Sequence, residues 1–173
     1  MEYNLPSEIV KDLNFGDDAK IAIIAGVEKL TKAVKSTLGA SGKCVIYEDG
    51  RGKPVVTKDG VTVAQSVVLY DPVENIGATL IKEAANNTVK EAGDGTTTAT
   101  VLAEALIKKV NHERYHGKSI REIKQGIVSG LEKINKYLEE TAIDIKGDML
   151  SDVSAISCNN DTDLGAIIAE AYE

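Results

Sequence analysis

The chain is 173 residues long, with 43% hydrophobic and 27% charged residues, a globular balance that excludes disorder, collagen and low complexity as whole-chain descriptions. Its formal charge is −7, from 20 Lys and Arg against 27 Asp and Glu, and no Lys/Arg block supplies the basic patch that nucleic-acid binding requires. Aromatics are 4%, with no Trp, one Phe and six Tyr, so the core has to be aliphatic.

The N-terminus, MEYNLPSEIVKDLNF, lacks the basic start and apolar run of a secretion signal. No stretch approaches the roughly 20 apolar residues that cross a bilayer. Cys44 and Cys158 are far apart and form no CxxC pair, which reads as two reduced thiols in a cytoplasmic protein. From Asp17 to Leu38, the apolar residues Ile23, Val27, Leu30, Val34 and Leu38 recur at helical spacing. Gly16 and Asp17 supply the cap of that helix and Gly39 its stop. Cys44–Tyr47 and Pro54–Thr57 are β-rich runs on either side of the turn cluster Glu48–Gly52, a hairpin pattern. Lys58-Asp59-Gly60 is a turn, and Val61–Leu69 fits either a strand or a short helix.

Asp71-Pro72 opens the next helix, with Ile76, Leu80, Ala84 and Thr88 on one face, flanked by Ile81 and Ala85, and Ala92-Gly93 at its end. After Gly93–Thr98, the spacing predicts a helix over Ala99–Val110 with the stripe Leu102, Ala105, Leu106 and Val110. Ser119 and Glu122 have the spacing of a capping box. They start a helix with the seam Ile120, Ile123, Ile127, Leu131, Ile134 and Leu138. Residues 141–158 read as a connector with short extended pieces. Asn160 or Asp161 caps a last helix carrying Leu164, Ile167, Ile168 and Ala171, still running at Glu173.

Gly93-Asp94-Gly95-Thr96-Thr97-Thr98 has the chemistry of a phosphate cradle. Glycines admit close backbone approach, and the free N–H groups and positive dipole end of a helix start favour an anion. Asp94 repels phosphate on its own but fits if a divalent cation bridges the two; the alternative is a polar turn capped by Thr. Thr37–Gly42 is a second Gly-rich segment. Asp59 reads alone as a turn residue, and beside a metal–phosphate site as a group that positions an attacking water. Two motifs mislead. Gly117-Lys118-Ser119 resembles the end of a Walker A loop, but His112 stands where its first Gly belongs and a helix precedes it. His112-Glu113-Arg114-Tyr115-His116 fits the HExxH zinc signature, but Gly117 follows at once, leaving it at a frayed helix end with no third His.

Gly93–Leu102 resembles the nucleotide-binding signature of the group I chaperonins, the bacterial and organellar 60-kDa heat-shock proteins. Ala33–Gly39, Val56–Ala64 and Val153–Asn159 agree in order and spacing. Three consecutive Thr followed by Ala-Thr favour group I over group II. The resemblance implies a mainly α fold. Residues 1–140 would be the N-terminal half of an ATP-binding equatorial domain, a helical bundle with a small β-hairpin, and residues 141–173 the start of an intermediate domain. The apical domain and C-terminal half are absent from the sequence. The implied function is an ATP-dependent protein-folding subunit of a homo-oligomeric ring. Its non-native clients and co-chaperonin would be engaged by the apical domain, and neither nucleic acid nor membrane is a partner.

Carried over by position, Asp94 binds Mg²⁺, and Gly95, Thr96, Thr97 and Thr98 hold phosphates. Thr37, Leu38 and Gly39 line the α-phosphate and ribose side. Asp59 helps activate the attacking water. Lys58 lies beside the site, its backbone and that of Thr37 near a K⁺ ion, and Ile156 packs near the base. Ala40 stands where the family has Pro, and Ser41 where Lys is common. The isolated 173 residues are expected to hydrolyse ATP weakly or not at all. Because the chain stops within a helix, a naturally truncated, non-catalytic assembly module using the hairpin edge at Cys44-Val45-Ile46 is the competing expectation.

Overall fold

The structure, a computed structural model, describes residues 12–39, 41–112, 116–158 and 160–172. In chain order the elements are α1 (Gly16–Lys35), β1 (Val45–Glu48), β2 (Pro54–Thr57), α2 (Gly60–Ser66), α3 (Pro72–Ala92), α4 (Thr96–Val110), α5 (Ile120–Thr141), α6 (Met149–Ser157) and α7 (Thr162–Tyr172). They fold as two compact units, the first ending with α4 and the second beginning with α5.

In the first unit, α1 buries Val27, Leu30 and Val34 against Val63 and Ala64 of α2 and Ala78 and Ile81 of α3. Ala33, Val45, Val67, Leu69, Ala103 and Ile107 pack around this cluster. It contains no aromatic residue, as the composition requires. Helix α1 ends three residues before Leu38, which is 43% exposed. The αL glycine that closes the segment is Gly39, with φ 75°.

The tightest packing is between α1 and α3. A Cβ on Gly26 would lie 1.8 Å from the carbonyl oxygen of Glu74, and one on Gly77 would lie 2.0 Å from that of Ile23. The two backbones therefore touch where each helix lacks a side chain. Lys29 pairs with Glu74 beside this crossing, at 2.6 Å to Oε1. Helix α3 starts where Asp71 Oδ1 accepts the N–H groups of Val73 and Glu74, both at 2.9 Å, with Pro72 in the first turn.

The hairpin pairs Val45 with Thr57 and Glu48 with Pro54 in antiparallel register. Asp49 organises its tip by accepting the N–H groups of Arg51 at 2.8 Å and Lys53 at 2.9 Å. Val61–Leu69, open between strand and helix in the sequence, is helix α2 to Ser66 and non-helical thereafter.

Three predicted stripes are displaced by one position or more. On α3 the buried residues are Gly77, Ala78, Ile81 and Ala85, while Ile76 and Leu80 are 54% and 53% exposed. On α4, which begins at Thr96 rather than Ala99, Thr96 and Thr100 are buried and Leu102 and Leu106 are exposed. On α7 the inward residues are Gly165 and Ala169, not Leu164 or Ile167. On α3 and α7 small residues let the helices approach closely, at Gly77 against Ile23 and Gly165 against Ala155, and the close approach selects the face.

One polar group resists this packing. Among the described residues, Thr31 Oγ1 is a fully buried hydroxyl without a hydrogen-bond partner, a cost of about 1–3 kcal/mol.

In the second unit, the predicted capping box is present. Glu122 N–H donates to Ser119 Oγ at 3.2 Å, and Ser119 N–H donates to Glu122 Oε2 at 2.8 Å. The backbone and side-chain bonds from Ser119 hold the Glu122 carboxyl below its ordinary pKa. None of the residues of α5 is buried. The expected extended connector over 141–158 is instead interrupted by helix α6. Its partner α7 starts where Asp161 Oδ1 accepts the Leu164 N–H at 3.0 Å. The two helices meet at Gly165, where a Cβ would lie 2.6 Å from Ala155 Cα.

Candidate functional site

The turn between α3 and α4 is built by two left-handed glycines. Gly93, with φ 76°, ends α3 through its N–H to Val89 O at 2.8 Å. Gly95, with φ 85°, is the N-cap of α4, and no side chain caps that helix. The first N–H groups of α4 therefore have no side-chain cap, at the positive end of the helix dipole. Asp94, between the glycines, is exposed, and its Oδ1 accepts the Gly95 N–H at 2.6 Å. Thr96 points into the protein at 7% exposure, Thr97 is half-buried and Thr98 is exposed. The first turn thus splits into an anchor, Thr96, and two residues at the surface.

Asp59 lies at the start of α2 and caps it. Its Oδ2 accepts the Thr62 N–H at 2.8 Å and the Thr62 hydroxyl, and its Oδ1 accepts the Val61 N–H at 3.3 Å. Partial burial pushes the carboxyl pKa up. The bonds from Thr62 and Val61 outweigh that and hold it below its ordinary value. The stability this contributes is fully present above the unfolded value of 3.8, and is lost as the pH falls below that through the lower folded value.

Gly60 joins these segments. A Cβ placed on it would lie 2.1 Å from Thr97 Oγ1 and 3.3 Å from Thr37 Oγ1. The starts of α2 and α4 and the end of α1 therefore meet at one point, bringing Thr37, Asp59-Gly60 and Thr97 together from positions 60 residues apart in sequence. Thr37 is fixed by its hydroxyl donating to Val34 O at 2.7 Å. The Thr37–Gly42 loop folds back on itself: Gly42 N–H donates to Gly39 O at 2.9 Å, and Lys43 N–H to Ser36 O at 2.8 Å. Leu38, Gly39 and Lys58 are exposed beside this cluster in sequence. Ile156 belongs to the second unit, on α6, 69% exposed.

Gly60 and Thr62 are the residues that sequence reasoning missed. Thr62 had a usable signal, since Asp59 and Thr62 have the i, i+3 spacing at which a capping residue meets a donor. The contact of Gly60 with Thr97 had none. Among the described residues no group of three or more His, Cys, Asp or Glu could hold a metal ion. The HExxH match lies partly outside the described residues, and α4 has already ended at Val110 when His112 is reached.

Residues 30–173 match the TCP-1/cpn60 chaperonin family, and the chain belongs to that family. It is 43% identical over 164 residues to Heat shock protein 60 of Emericella nidulans, covering 94% of this chain and 28% of that protein. The structure is similar to the chaperonin gp146 from bacteriophage EL 2 (Pseudomonas aeruginosa), crystallised in the presence of ATP-BeFx, with TM-score 0.74, 32% identity, and coverage of 91% of this chain and 28% of that one. It is similar also to a group III chaperonin in the open state, with TM-score 0.74, 29% identity, and coverage of 89% and 31%. The chain thus spans less than a third of the length of these relatives. The mainly helical fold with its two-stranded hairpin agrees with that kinship. No described helix is long and apolar enough to cross a membrane.

Proposed function

We propose that this chain supplies the phosphate-binding portion of an ATP-hydrolysing group I chaperonin subunit. The observation that carries the reading is the uncapped, glycine-preceded start of α4, with Thr97 packed against Gly60 beside Asp59. In this reading Gly95 admits the phosphates close to the backbone, and the N–H groups of Thr96, Thr97 and Thr98 with the hydroxyls of Thr97 and Thr98 hold them. Asp94 would hold Mg²⁺, which would supply neutralisation of the phosphate charge. Thr37, Leu38 and Gly39 would follow the α-phosphate and ribose, and the backbone of Thr37 and Lys58 would hold a K⁺ ion.

In hydrolysis the water oxygen bonds to the terminal phosphorus, the bond to the bridging oxygen breaks, and ADP leaves with that electron pair. The water's proton passes to the released phosphate or to solvent. Asp59 orients the water by accepting its hydrogen bond.

Residues 1–140 are assigned to the N-terminal half of an equatorial domain and 141–173 to the beginning of an intermediate domain. The complete subunit forms a homo-oligomeric ring in the cytoplasm, and its remaining segments engage non-native proteins and a co-chaperonin. Asp94→Ala and Asp59→Ala in the complete subunit are each expected to lower Mg²⁺-dependent ATP turnover about tenfold or more. Unchanged turnover in both variants would sink these roles. The isolated 173 residues are expected to turn over ATP slowly or not at all.

A further inference from the structure

Asp59 presents two unlike oxygens. Oδ2 accepts two donors from one residue, the Thr62 N–H at 2.8 Å and the Thr62 hydroxyl at 2.5 Å. Oδ1 accepts one long bond, from Val61 N–H at 3.3 Å. A carboxylate oxygen has about two lone-pair positions. Oδ2 is therefore filled, and Oδ1 keeps an open one.

Resting on the reading of Asp59 as the group that orients the attacking water, we propose that Thr62 is a positioning residue for hydrolysis. Its hydroxyl clamps Oδ2 so that Oδ1 is the oxygen presented to the water. The backbone N–H at position 62 would be supplied by any residue but Pro. The hydroxyl is what the Thr side chain adds; without it each oxygen keeps one backbone N–H, from Val61 or Thr62, and the carboxylate can pivot and exchange its two oxygens. No ion pair engages Asp59 among the described residues, so no opposite charge holds the carboxylate in its place.

Thr62 is half-buried in the first turn of α2. Thr62→Val preserves its shape, its branching and the backbone bond, and removes only the donor. Thr62→Ser restores that donor.

In the complete subunit, Thr62→Val is expected to lower kcat about tenfold with KM for ATP changed less than about twofold, and Thr62→Ser to return kcat to near wild type. Added to Asp59→Asn, Thr62→Val is expected to cost nothing further, because the carboxylate it acts through is gone. The proposal is overturned by wild-type kcat in Thr62→Val, or by a loss that persists in the Asp59→Asn background. Wild-type turnover in Asp59→Asn would overturn the reading of Asp59 and the proposal together. A slow Asp59→Asn beside a wild-type Thr62→Val would overturn the role of Thr62 alone.

Discussion

Gly26→Ala and Gly77→Ala are each expected to destabilise the first unit by about 3 kcal/mol or more, the upper end of what overpacking costs. The new methyl on residue 26 would meet Glu74 O at 1.8 Å and Glu74 C at 2.6 Å; on residue 77 it would meet Ile23 O at 2.0 Å and Ile23 C at 2.9 Å. All four atoms are backbone, so no rotamer change relieves the clash, and α1 and α3 must separate. Separation pulls Ala78 and Ile81 away from Val27 and Leu30, and lengthens the Lys29–Glu74 pair.

Intrinsic propensity pushes the other way, because Ala is favoured over Gly in a helix by about 1 kcal/mol. The control is therefore Gly126→Ala or Gly130→Ala in α5, where a Cβ meets nothing within 4 Å. These changes are expected to be neutral or mildly stabilising. Urea unfolding followed by amide NMR reads the first unit separately from the second. An undiminished midpoint in Gly26→Ala would refute the close crossing.

Gly60→Ala is expected to spare the fold and damage the ligand site. The atom in the way is Thr97 Oγ1, 2.1 Å from the new Cβ, and it lies at the end of a side chain that can rotate. The contacts at 3.3 Å with Thr97 Cβ and Thr37 Oγ1 require a shift of a few tenths of an ångström. Gly60 has no positive φ, so Ala brings no backbone strain there. The helix therefore persists, while the Thr97 hydroxyl and the first turn of α4 are re-aimed. Displacements of this size in a positioning group carry large penalties. Affinity for Mg-ATP in the complete subunit is expected to fall about tenfold or more, with only a small change in melting temperature. Calorimetric titration beside a thermal melt checks both halves. Intact binding would remove Thr97 from the phosphate site.

The sequence showed the helices more clearly than their faces. Apolar periodicity finds a helix through its large aliphatics, which is how α3 and α4 were located. Their buried faces were set by Gly77, Ala78, Ala85, Thr96 and Thr100, residues with little hydropathic signal of their own. Ile76, Leu80, Leu102 and Leu106, the strongest markers in the pattern, face outward. Helix α6 was missed because nothing announces its start: Asp148 makes no side-chain cap. The start of α5 was legible because its capping box is local, using two residues three apart.

The site divides along the same line. The glycines around Asp94 act on their own neighbours and could be read directly. The meeting of Gly60 with Thr97 is a product of three helix ends converging, and no local pattern encodes it. The capping of α2 by Asp59 likewise depended on Val61–Ser66 being helical, which the sequence left undecided.

Helix α5 carries 22 residues and buries none of them. An isolated helix of that length holds its shape in water only marginally, because most helical stability in proteins comes from packing. Its backbone bonds therefore open on a different free-energy scale from those around Leu30. Far-UV ellipticity of this chain sums a gradual helix–coil change in α5 and a cooperative loss of the α1–α4 core. A single-wavelength melt will broaden accordingly, and its apparent enthalpy will understate that of the core. Only probes confined to one unit yield a stability with thermodynamic meaning.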